Sequence, residues 1–410
     1  MALNIIWVAF FVIAFVIALF KLVFLGDTAI FKLLADGIFD SAKVSVMDVA
    51  LPLAGTMVFF LGLMNIAEKA GAIQKLAKWM NPFLSRLFPE VPANHPAMGQ
   101  MVMNFSANML GLDNAATPFG LKAMESLQSL NSEKERATNA QIMFLVLHTS
   151  GLTIIPLTII SYRLAAGSTD AASIFIPCVL ATIGTTLASI VMVGFYQKLK
   201  WDRVLISWLL GLIGLMTGVL FLVNGLSPAN KEIVSKVVGN GLLLLIIVII
   251  ILGGVYKKVS VFDAFIEGAK NGFDVVLKII PYLVAMLVAI RVFRDSGAMT
   301  YILNGLTYLI QLTSVNTDFI PALPVAIMKP LSGSGARGMM LDIFQTSGPD
   351  SFVGKLASIF QGSADTTFYI IALYFGSVGI KKVRYAIWAG IFADLIGVVI
   401  AIIIGYTFFR

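Results

Sequence analysis

The stretch MNFSANMLGLDNAATPFGL, residues 103–121, is polar and contains glycine and proline, yet apolar sequence flanks it on both sides. A second stretch of the same character, IMKPLSGSGARGMML, occupies residues 327–341. Irregular backbone at membrane depth is tolerated only where protein buries it or where it lines a cavity. Two such interruptions in corresponding halves of a membrane chain therefore point to a shared binding site.

Composition places the chain among polytopic integral membrane proteins. Of its 410 residues, 59% are hydrophobic and only 12% are charged, whereas a soluble domain carries about twice that charged fraction. The net charge of +7 is spread over short loops, so it bears on topology and on anionic lipid head groups, and no nucleic-acid partner is expected. The single cysteine, Cys178, lies in an apolar run and is interpreted as a small buried hydrophobe.

Nine apolar runs are long enough to span about 30 Å of hydrocarbon. They lie at residues 3–24, 44–67, 140–164, 173–196, 204–223, 241–256, 275–293, 352–375 and 385–408. The first run has no basic segment before it and no small-residue cleavage site, so we expect a retained helix and not a signal peptide. Residues 72–88 and 301–312 are amphipathic and are expected to lie in the membrane interface. The predicted fold class is an all-α polytopic membrane protein with about nine transmembrane helices.

The two polar stretches read as re-entrant helical hairpins. Residues 98–110 would reach roughly 20 Å as a helix, which is too short to cross the membrane. Residues 111–114 break this helix, and Pro118 fits the first turn of a return helix that runs to about residue 130. In the second hairpin, residues 319–331 enter, 332–335 turn and 336–345 return. The alternative is a pair of polar loops outside the membrane, but the Met-, Leu-, Ala- and Val-rich flanks favour hairpins.

The order of these parts repeats along the chain. IFDSAK at 38–43 resembles FIEGAK at 265–270, and EKAGA at 68–72 corresponds to RDSGA at 294–298. An interfacial helix, a hairpin and two spans follow in each half, and LHTSGLT at 147–153 lies opposite FQGSADT at 360–366, which predicts a broken helix in each. The predicted units are an N-terminal helix with linker (1–38), a first repeat (39–196), a two-helix linker (197–260) and a second repeat (261–410).

Topology follows from crossing number and charge. Five crossings separate the starts of the two repeats, so the repeats must be inverted relative to each other. Lysine and arginine are more frequent in the loops that lie inside when the N-terminus is cytoplasmic, which favours N-in and C-out. The first hairpin then enters from the cytoplasm and the second from outside, so that their tips can meet near the midplane.

The candidate substrate-binding residues lie at the hairpin tips and in the broken helices. Small polar side chains there supply hydrogen-bond donors and acceptors, and helix ends expose amides that suit anions and carbonyls that suit cations. A lone Asn or Ser is more often a cap or turn residue, so the argument rests on the cluster. The candidates are Asn108, Asp113, Asn114, Thr117, Ser150, Ser332, Ser334, Arg337, Ser363, Asp365 and Thr366.

Asp365 matters most among these residues, because an ionisable group inside a membrane span is energetically expensive. It could bind a coupling ion, carry a proton or pair with Arg337; a purely structural Asp365–Arg337 ion pair is an equally weighted alternative. Asp394, inside the last run, raises the same question. His148 is interpreted as a contact between helices and not as a ligand.

Other chemistry is not expected. GSGARG at 333–338 matches the dinucleotide-binding pattern G-x-G-x-x-G, but Pro321, Pro324 and Pro330 precede it and exclude a central strand. Two histidines and one cysteine make a zinc site improbable, and the chain offers no nucleophile–base set. We therefore expect neither an enzyme nor a bound cofactor, although coupling to Na⁺ or H⁺ stays open.

Three motifs carry a resemblance to known families. SANMLGLDNAATPFGLKAM at 106–124 resembles the signature of the spore maturation protein A family, and PLSGSGA at 330–336 with GSADTTFY at 362–369 resembles the spore maturation protein B family. Both resemblances occur in this one chain, which is similar to a fusion of the two. Both belong to the nucleoside recognition (Gate) group, which is similar to the core of concentrative nucleoside transporters. The resemblance implies inverted repeats with hairpins and broken helices, an elevator-like transport mechanism and a bacterial cytoplasmic (inner) membrane.

The leading hypothesis is a secondary transporter for a small polar or anionic solute, with its site between the hairpin tips. The alternatives are a non-transporting scaffold in envelope or spore maturation, and a transporter of a lipid-linked substrate. The expected partners are membrane lipid and a small solute, and a homo-oligomer is left open.

Overall fold

The protein is all-helical in this computed structural model, which describes residues 2–92, 94–111, 113–312 and 315–410, without the side chains of 2, 3, 113–115 and 228. Short 3₁₀ turns lie at Ala171–Ile174 and Ile320–Ala322. The α-helices are α1 (Ala2–Leu25), α2 (Ile30–Val44), α3 (Leu51–Lys69), α4 (Ala72–Leu87), α5 (Pro96–Met109), α6 (Asp113–Leu130), α7 (Asn139–Ser150), α8 (Leu157–Ala165), α9 (Phe175–Tyr196), α10 (Arg203–Asn224), α11 (Pro228–Tyr256), α12 (Val261–Asp295), α13 (Ala298–Gln311), α14 (Leu323–Met328), α15 (Gly333–Ser347), α16 (Phe352–Gly362), α17 (Thr367–Ser377) and α18 (Ala386–Phe409).

The predicted class, an all-α polytopic membrane protein, is confirmed. Seven helical segments of the described chain are long and apolar enough to cross a membrane: Asn4–Leu25, Ile30–Lys69, Ala171–Tyr196, Arg203–Asn224, Ala229–Tyr256, Val261–Asp295 and Ala386–Phe409. The other two predicted spans, at 140–164 and 352–375, are each interrupted, as α7 with α8 and as α16 with α17. The count of nine crossings, the inverted repeat and the direction of insertion stay predictions.

The second span begins earlier than its hydropathy indicates. Helix runs without a break from Ile30 to Lys69, and a π-helical turn at Ser45–Ala50 joins α2 to α3. Pro52 follows this turn. Proline has no N–H to donate to the preceding turn, and a local π-turn is one way in which a helix accommodates that loss. The predicted boundary between residues 38 and 39 therefore falls inside α2, while the boundary at 260 coincides with the start of α12.

Both hairpins are present, with tighter tips than predicted. In the first, the chain reverses at Gly111, whose φ of +72° lies in the left-handed region, and α6 begins two residues later instead of at Pro118. One left-handed glycine is enough to reverse the chain, so a four-residue break is not needed. In the second, α15 begins at Gly333 instead of Ala336, because the Ser332 hydroxyl caps it by accepting the Gly335 amide at 3.0 Å.

Helix packing separates a buried centre from a lipid-facing periphery. The hydrophobic window of α9 is 78% buried, whereas those of α1 and α10 are 11% buried. Close approach of α3 and α12 depends on glycine: a Cβ at Gly268 would lie 2.6 Å from the Leu61 carbonyl oxygen, and one at Gly272 would lie 2.6 Å from Val58 Cα. Small residues at such contacts let membrane helices approach each other and gain van der Waals contact.

The two amphipathic segments are helices, as predicted. α4 buries Ile73, Met80, Phe83, Leu84 and Leu87, which are the apolar positions of the sequence pattern, and it packs against α5 of the first hairpin. α13 is the corresponding helix in the second half and contacts α12. Each therefore lies directly before a hairpin and packs against protein on at least one side.

Candidate functional site

The site begins where the two broken helices meet. The chain between α7 and α8 contacts the chain between α16 and α17, and the Asp365 amide donates to the Thr149 carbonyl oxygen at 2.7 Å. Gly151 ends α7 with a φ of +60°, and a Cβ there would lie 3.2 Å from the Asp365 nitrogen. The position requires glycine for both reasons, because a side chain would strain the backbone and press the two breaks apart.

Each hairpin tip docks on the break of its own half. In the first half, the Ile154 amide donates to the Met109 carbonyl oxygen at 2.8 Å. In the second, the Phe368 amide donates to the Pro330 carbonyl oxygen at 3.0 Å. These bonds satisfy backbone groups that a broken helix leaves unpaired, which is the condition for irregular backbone at membrane depth. Four irregular segments, two tips and two breaks, are thereby gathered in one place.

A cavity of about 170 Å³ lies among these four segments. Its charged lining consists of Lys329, Arg337 and Asp365, with two cations against one carboxylate among the described residues. Lys329 donates to the Gln361 carbonyl oxygen at 2.7 Å. The uncharged polar lining includes Asn108, Thr153, Thr158, Gln361 and Thr366.

Arg337 and Asp365 line the same cavity without forming the ion pair that was considered from the sequence. The Arg337 guanidinium instead lies over the Tyr162 ring, 5.2 Å from its centroid, and its buried Nε has no hydrogen-bond partner in the described part of the chain. The Asp365 carboxylate accepts from the Thr366 amide at 2.7 Å and lies 3.7 Å from His148 Nε2. The structural-pair alternative was therefore wrong, because the two side chains point to different partners, Arg337 to Tyr162 and Asp365 to Thr366 and His148.

His148 has a larger role than the sequence indicated. It is buried, and its Nδ1 lies 3.1 Å from the Asn108 amide nitrogen and 3.0 Å from the Asn104 side-chain oxygen, both on α5. Its Nε2 lies near Asp365 and 3.5 Å from the Tyr374 hydroxyl. One imidazole therefore connects the first hairpin to the second broken helix. The sequence signal for this role is the position of His148 in LHTSGLT, opposite FQGSADT in the predicted repeat. From the sequence alone, His148 is interpreted only as a contact between helices.

Five of the eleven candidate residues do not line the cavities near the tips, or cannot be placed there. The side chains of Asp113 and Asn114 lie outside the described residues. Thr117 is half-buried on α6. The Ser150 and Ser363 hydroxyls bond the carbonyl oxygens of Leu147 and Phe360, at 2.7 and 3.0 Å, which is the usual habit of serine in membrane helices.

The remaining six candidates converge. Asn108, Arg337, Asp365 and Thr366 line the 170 Å³ cavity, and Ser332 and Ser334 line a larger cavity of about 680 Å³ that also includes Arg337, Asp365 and Thr366. Lys329 and Lys278, which line one cavity each, were not among the candidates. Asp394 lies apart from both cavities and accepts from the Thr367 hydroxyl at 2.7 Å, where it holds the start of α17.

Comparison with known proteins agrees with this architecture. The family model described as nucleoside recognition (Gate) matches residues 50–166 and 276–381, together more than half of the chain. Spore maturation protein B of Bacillus subtilis (strain 168) is 48% identical over 151 residues, which cover 37% of this chain and 83% of that protein. Spore maturation protein A of the same organism is 38% identical over 202 residues, which cover 49% of this chain and 99% of that protein.

No solved structure matches the chain. Both matched segments of the family model include a hairpin and a broken helix, so the resemblance read from the three motifs is confirmed. The chain belongs to the nucleoside recognition (Gate) family of membrane proteins, and it combines regions similar to spore maturation protein A and spore maturation protein B.

Proposed function

We propose that this protein is a secondary membrane transporter, and not an enzyme, for a small polar or anionic solute that binds between the hairpin tips. The observation that carries the proposal is the convergence of four irregular segments on one cavity, through the backbone bonds Ile154–Met109, Phe368–Pro330 and Asp365–Thr149. Discontinuous helices whose ends surround a midplane site are the usual architecture of secondary transporters.

The charges of the cavity favour an anionic group. Lys329 and Arg337 face a single carboxylate, Asp365, among the described lining residues. Arg337 Nε and the Gln361 side-chain oxygen are buried and have no partner in the described chain. Such groups are costly to bury unless something bonds them, and a bound solute would supply the missing acceptor and donor.

In the proposed mechanism, the hairpins and broken helices move as one body. The peripheral helices α1, α10 and α11, with the interfacial helices α4 and α13, form the fixed scaffold. Asp365 carries the coupling to Na⁺ or H⁺. The protein lies in the bacterial cytoplasmic membrane with its N-terminus inside and its C-terminus outside. A re-entrant tip that seals the site from each side in turn would then provide alternating access.

Ligand-dependent thermal unfolding of the purified protein tests this proposal. The panel comprises inorganic phosphate, citrate, a nucleoside and a nucleoside monophosphate, each with and without Na⁺ and at two pH values. We expect at least one solute to raise the unfolding temperature of the wild type. Arg337→Ala and Asp365→Asn should each abolish that rise, since both remove a charged group from the cavity.

Arg203→Ala is the matched control, because Arg203 is exposed at the start of α10 and is not among the residues that line the cavity. The control should respond like the wild type. A response that survives in both cavity variants would refute the assigned site. If no solute or ion shifts the wild type, the scaffold alternative is favoured.

The second candidate function is movement of a lipid-linked substrate. The larger cavity favours it, since it begins at the same hairpin tip and its rim residues are exposed on two helices of the bundle.

A further inference from the structure

The second cavity is the larger of the two that meet at the tip of the second hairpin. It measures about 680 Å³ and shares Gly333, Arg337, Asp365 and Thr366 with the smaller one. Its other walls come from three elements: Lys278, Ile279 and Tyr282 of α12, Leu331, Ser332 and Ser334 of the hairpin, and Phe368, Tyr369 and Ala372 of α17. A volume of this size holds a ligand much larger than a simple anion.

The rim of this cavity is exposed at membrane depth. Tyr282 and Tyr369 are each 59% exposed, and Lys278 is exposed beside them. Lys278 and Tyr282 belong to residues 275–293, the apolar run of α12, and that helix is long and apolar enough to cross the membrane. Because both residues lie within this run, the opening that they frame with Tyr369 faces hydrocarbon. Tyrosines at the rim suit this position, because each presents an apolar ring and one polar atom.

Two cations line the cavity, Lys278 at its rim and Arg337 at the hairpin. Lys278 makes no hydrogen bond or ion pair among the described residues, and Asp274, one turn earlier on α12, is not within ion-pair distance. Arg337 contributes a second cation whose Nε has no described partner. Asp365 is the only carboxylate among the described lining residues. Cations at membrane depth are expensive unless paired, so an anion that binds between Lys278 and Arg337 would stabilise both.

We propose that the transported substrate is an anionic amphiphile, with its acidic head at Arg337 and Lys278 and its alkyl chain leaving between Tyr282 and Tyr369 into the bilayer. The inference rests on the second candidate function, movement of a lipid-linked substrate, and specifies the charge of its head group. The apolar side chains of Ile279, Leu331, Phe368 and Ala372 form the wall along which the chain lies. A purely polar solute would leave this wall and its opening to the bilayer unused.

Binding of dodecyl phosphate to the protein in phosphatidylcholine nanodiscs tests the inference, with thermal unfolding as the readout. Inorganic phosphate and dodecyl maltoside serve as comparison ligands, the first with the charge alone and the second with the chain alone. We expect dodecyl phosphate to stabilise the wild type at concentrations where neither comparison ligand does. Stabilisation by dodecyl maltoside to the same degree would overturn the proposal, and so would equal stabilisation by inorganic phosphate.

The decisive variant is Lys278→Met, which removes the charge and keeps a long apolar side chain. Loss of a charge-assisted contact should weaken dodecyl phosphate binding by about tenfold or more. Lys278→Arg keeps the charge and should retain binding, which separates a lost contact from a misfolded protein. Lys270→Met is the matched control on the same helix, since Lys270 is exposed and outside the cavity lining. Unchanged binding in Lys278→Met would refute the assignment of the head group.

The same variants separate this inference from the transport proposal. If Arg337→Ala abolishes the response to a soluble anion while dodecyl phosphate fails to stabilise the wild type, the transporter stands and the amphiphile is refuted. If neither cavity variant changes any response, the transport site itself is refuted.

Discussion

A buried arginine, Arg163, joins the end of α8 to the start of α16, away from the breaks of the two broken helices. Its removal should destabilise the whole bundle. The Arg163 side chain on α8 is fully buried. It donates to Asp350 at 2.8 Å and to the Pro349 carbonyl oxygen at 2.6 Å, both just before α16. Its remaining bonds go to Ser358 Oγ, Ser168 Oγ and the carbonyl oxygens of Asp170 and Ala171. One side chain therefore joins the two halves of the chain at a single face.

Asp350→Asn is the informative perturbation. It keeps the size of the side chain but removes the ion-pair partner of the buried Arg163, which costs about 3–5 kcal/mol for a fully buried pair. The Asp350 side chain is 34% exposed, so solvent screens part of the interaction. We therefore expect a loss of about 3 kcal/mol, the lower end of that range.

A double-mutant cycle with Arg163→Met makes the expectation specific. Arg163→Met leaves buried carbonyl oxygens unpaired at about 1–3 kcal/mol each, so it should cost at least as much as Asp350→Asn. The double variant should lose less unfolding free energy than the sum of the two single losses. Each substitution removes the charged partner that the other leaves unpaired.

The same contact predicts a pH dependence. Burial opposes the charged form of Asp350, but hydrogen bonds from Ser168 and Thr169 and the charge of Arg163 outweigh it, so the pKa of Asp350 lies below its ordinary value. A carboxyl with a lowered pKa contributes stability above its unfolded pKa and loses that contribution as the pH falls through its folded pKa. The difference between wild type and Asp350→Asn should be full at neutral pH and should shrink in acid.

Unfolding free energies measured in detergent at several pH values provide the test. Asp318→Asn is the control, since the Arg410–Asp318 pair is about half exposed on both sides and should cost no more than about 1 kcal/mol. The reasoning fails if Asp350→Asn costs as little as the control, if the two losses are simply additive, or if the difference persists unchanged in acid.

Two further substitutions test the site. Gly333→Ala would place a Cβ 2.6 Å from Thr366 Oγ1 and should lower the unfolding free energy by about 1–3 kcal/mol through overpacking. Adding Thr366→Ala should restore most of that loss. The control Gly211→Ala, whose Cβ meets no atom within 4 Å, should leave the unfolding free energy unchanged. His148→Gln removes the imidazole that lies 3.7 Å from Asp365; if Asp365 and His148 together bind a coupling proton, the pH dependence of ligand binding should change in this variant, whereas an unchanged pH profile would refute a role of the imidazole in coupling.

Much of the fold could be predicted because hydrocarbon leaves the backbone few choices. Each backbone polar group in the bilayer must be bonded within the chain, so apolar runs have to be helices, and interruptions have to be buried tips or breaks. Both hairpins and both broken helices were placed in this way. The first and last residues of these elements could not be predicted as well. A hairpin tip can reverse at a single left-handed glycine, as at Gly111, and a helix can continue through a proline by way of a π-turn, as before Pro52.

The site could be predicted only in part. Asp365, Arg337, Asn108 and Thr366 line one cavity, and they were singled out because polar residues inside a membrane span are energetically expensive; their role in binding stays a prediction. Ser150 and Ser363 are also polar residues in the broken helices, but their hydroxyls bond carbonyl oxygens of the preceding helical turn. Which side of a helix faces the cavity depends on rotation about the helix axis, and hydropathy alone does not specify that rotation where both sides are buried.

The sequence by itself determined that MNFSANMLGLDNAATPFGL and IMKPLSGSGARGMML are paired interruptions in a helical membrane protein. Only the tertiary structure decided what they face. In the tertiary structure, Arg337 lies over the Tyr162 ring, His148 lies beside Asp365, and Lys278 lines the larger cavity. The reason is physical: membership of a helix follows from local composition and the bilayer, whereas contacts between distant side chains follow from how helices rotate and pack, which no single segment specifies.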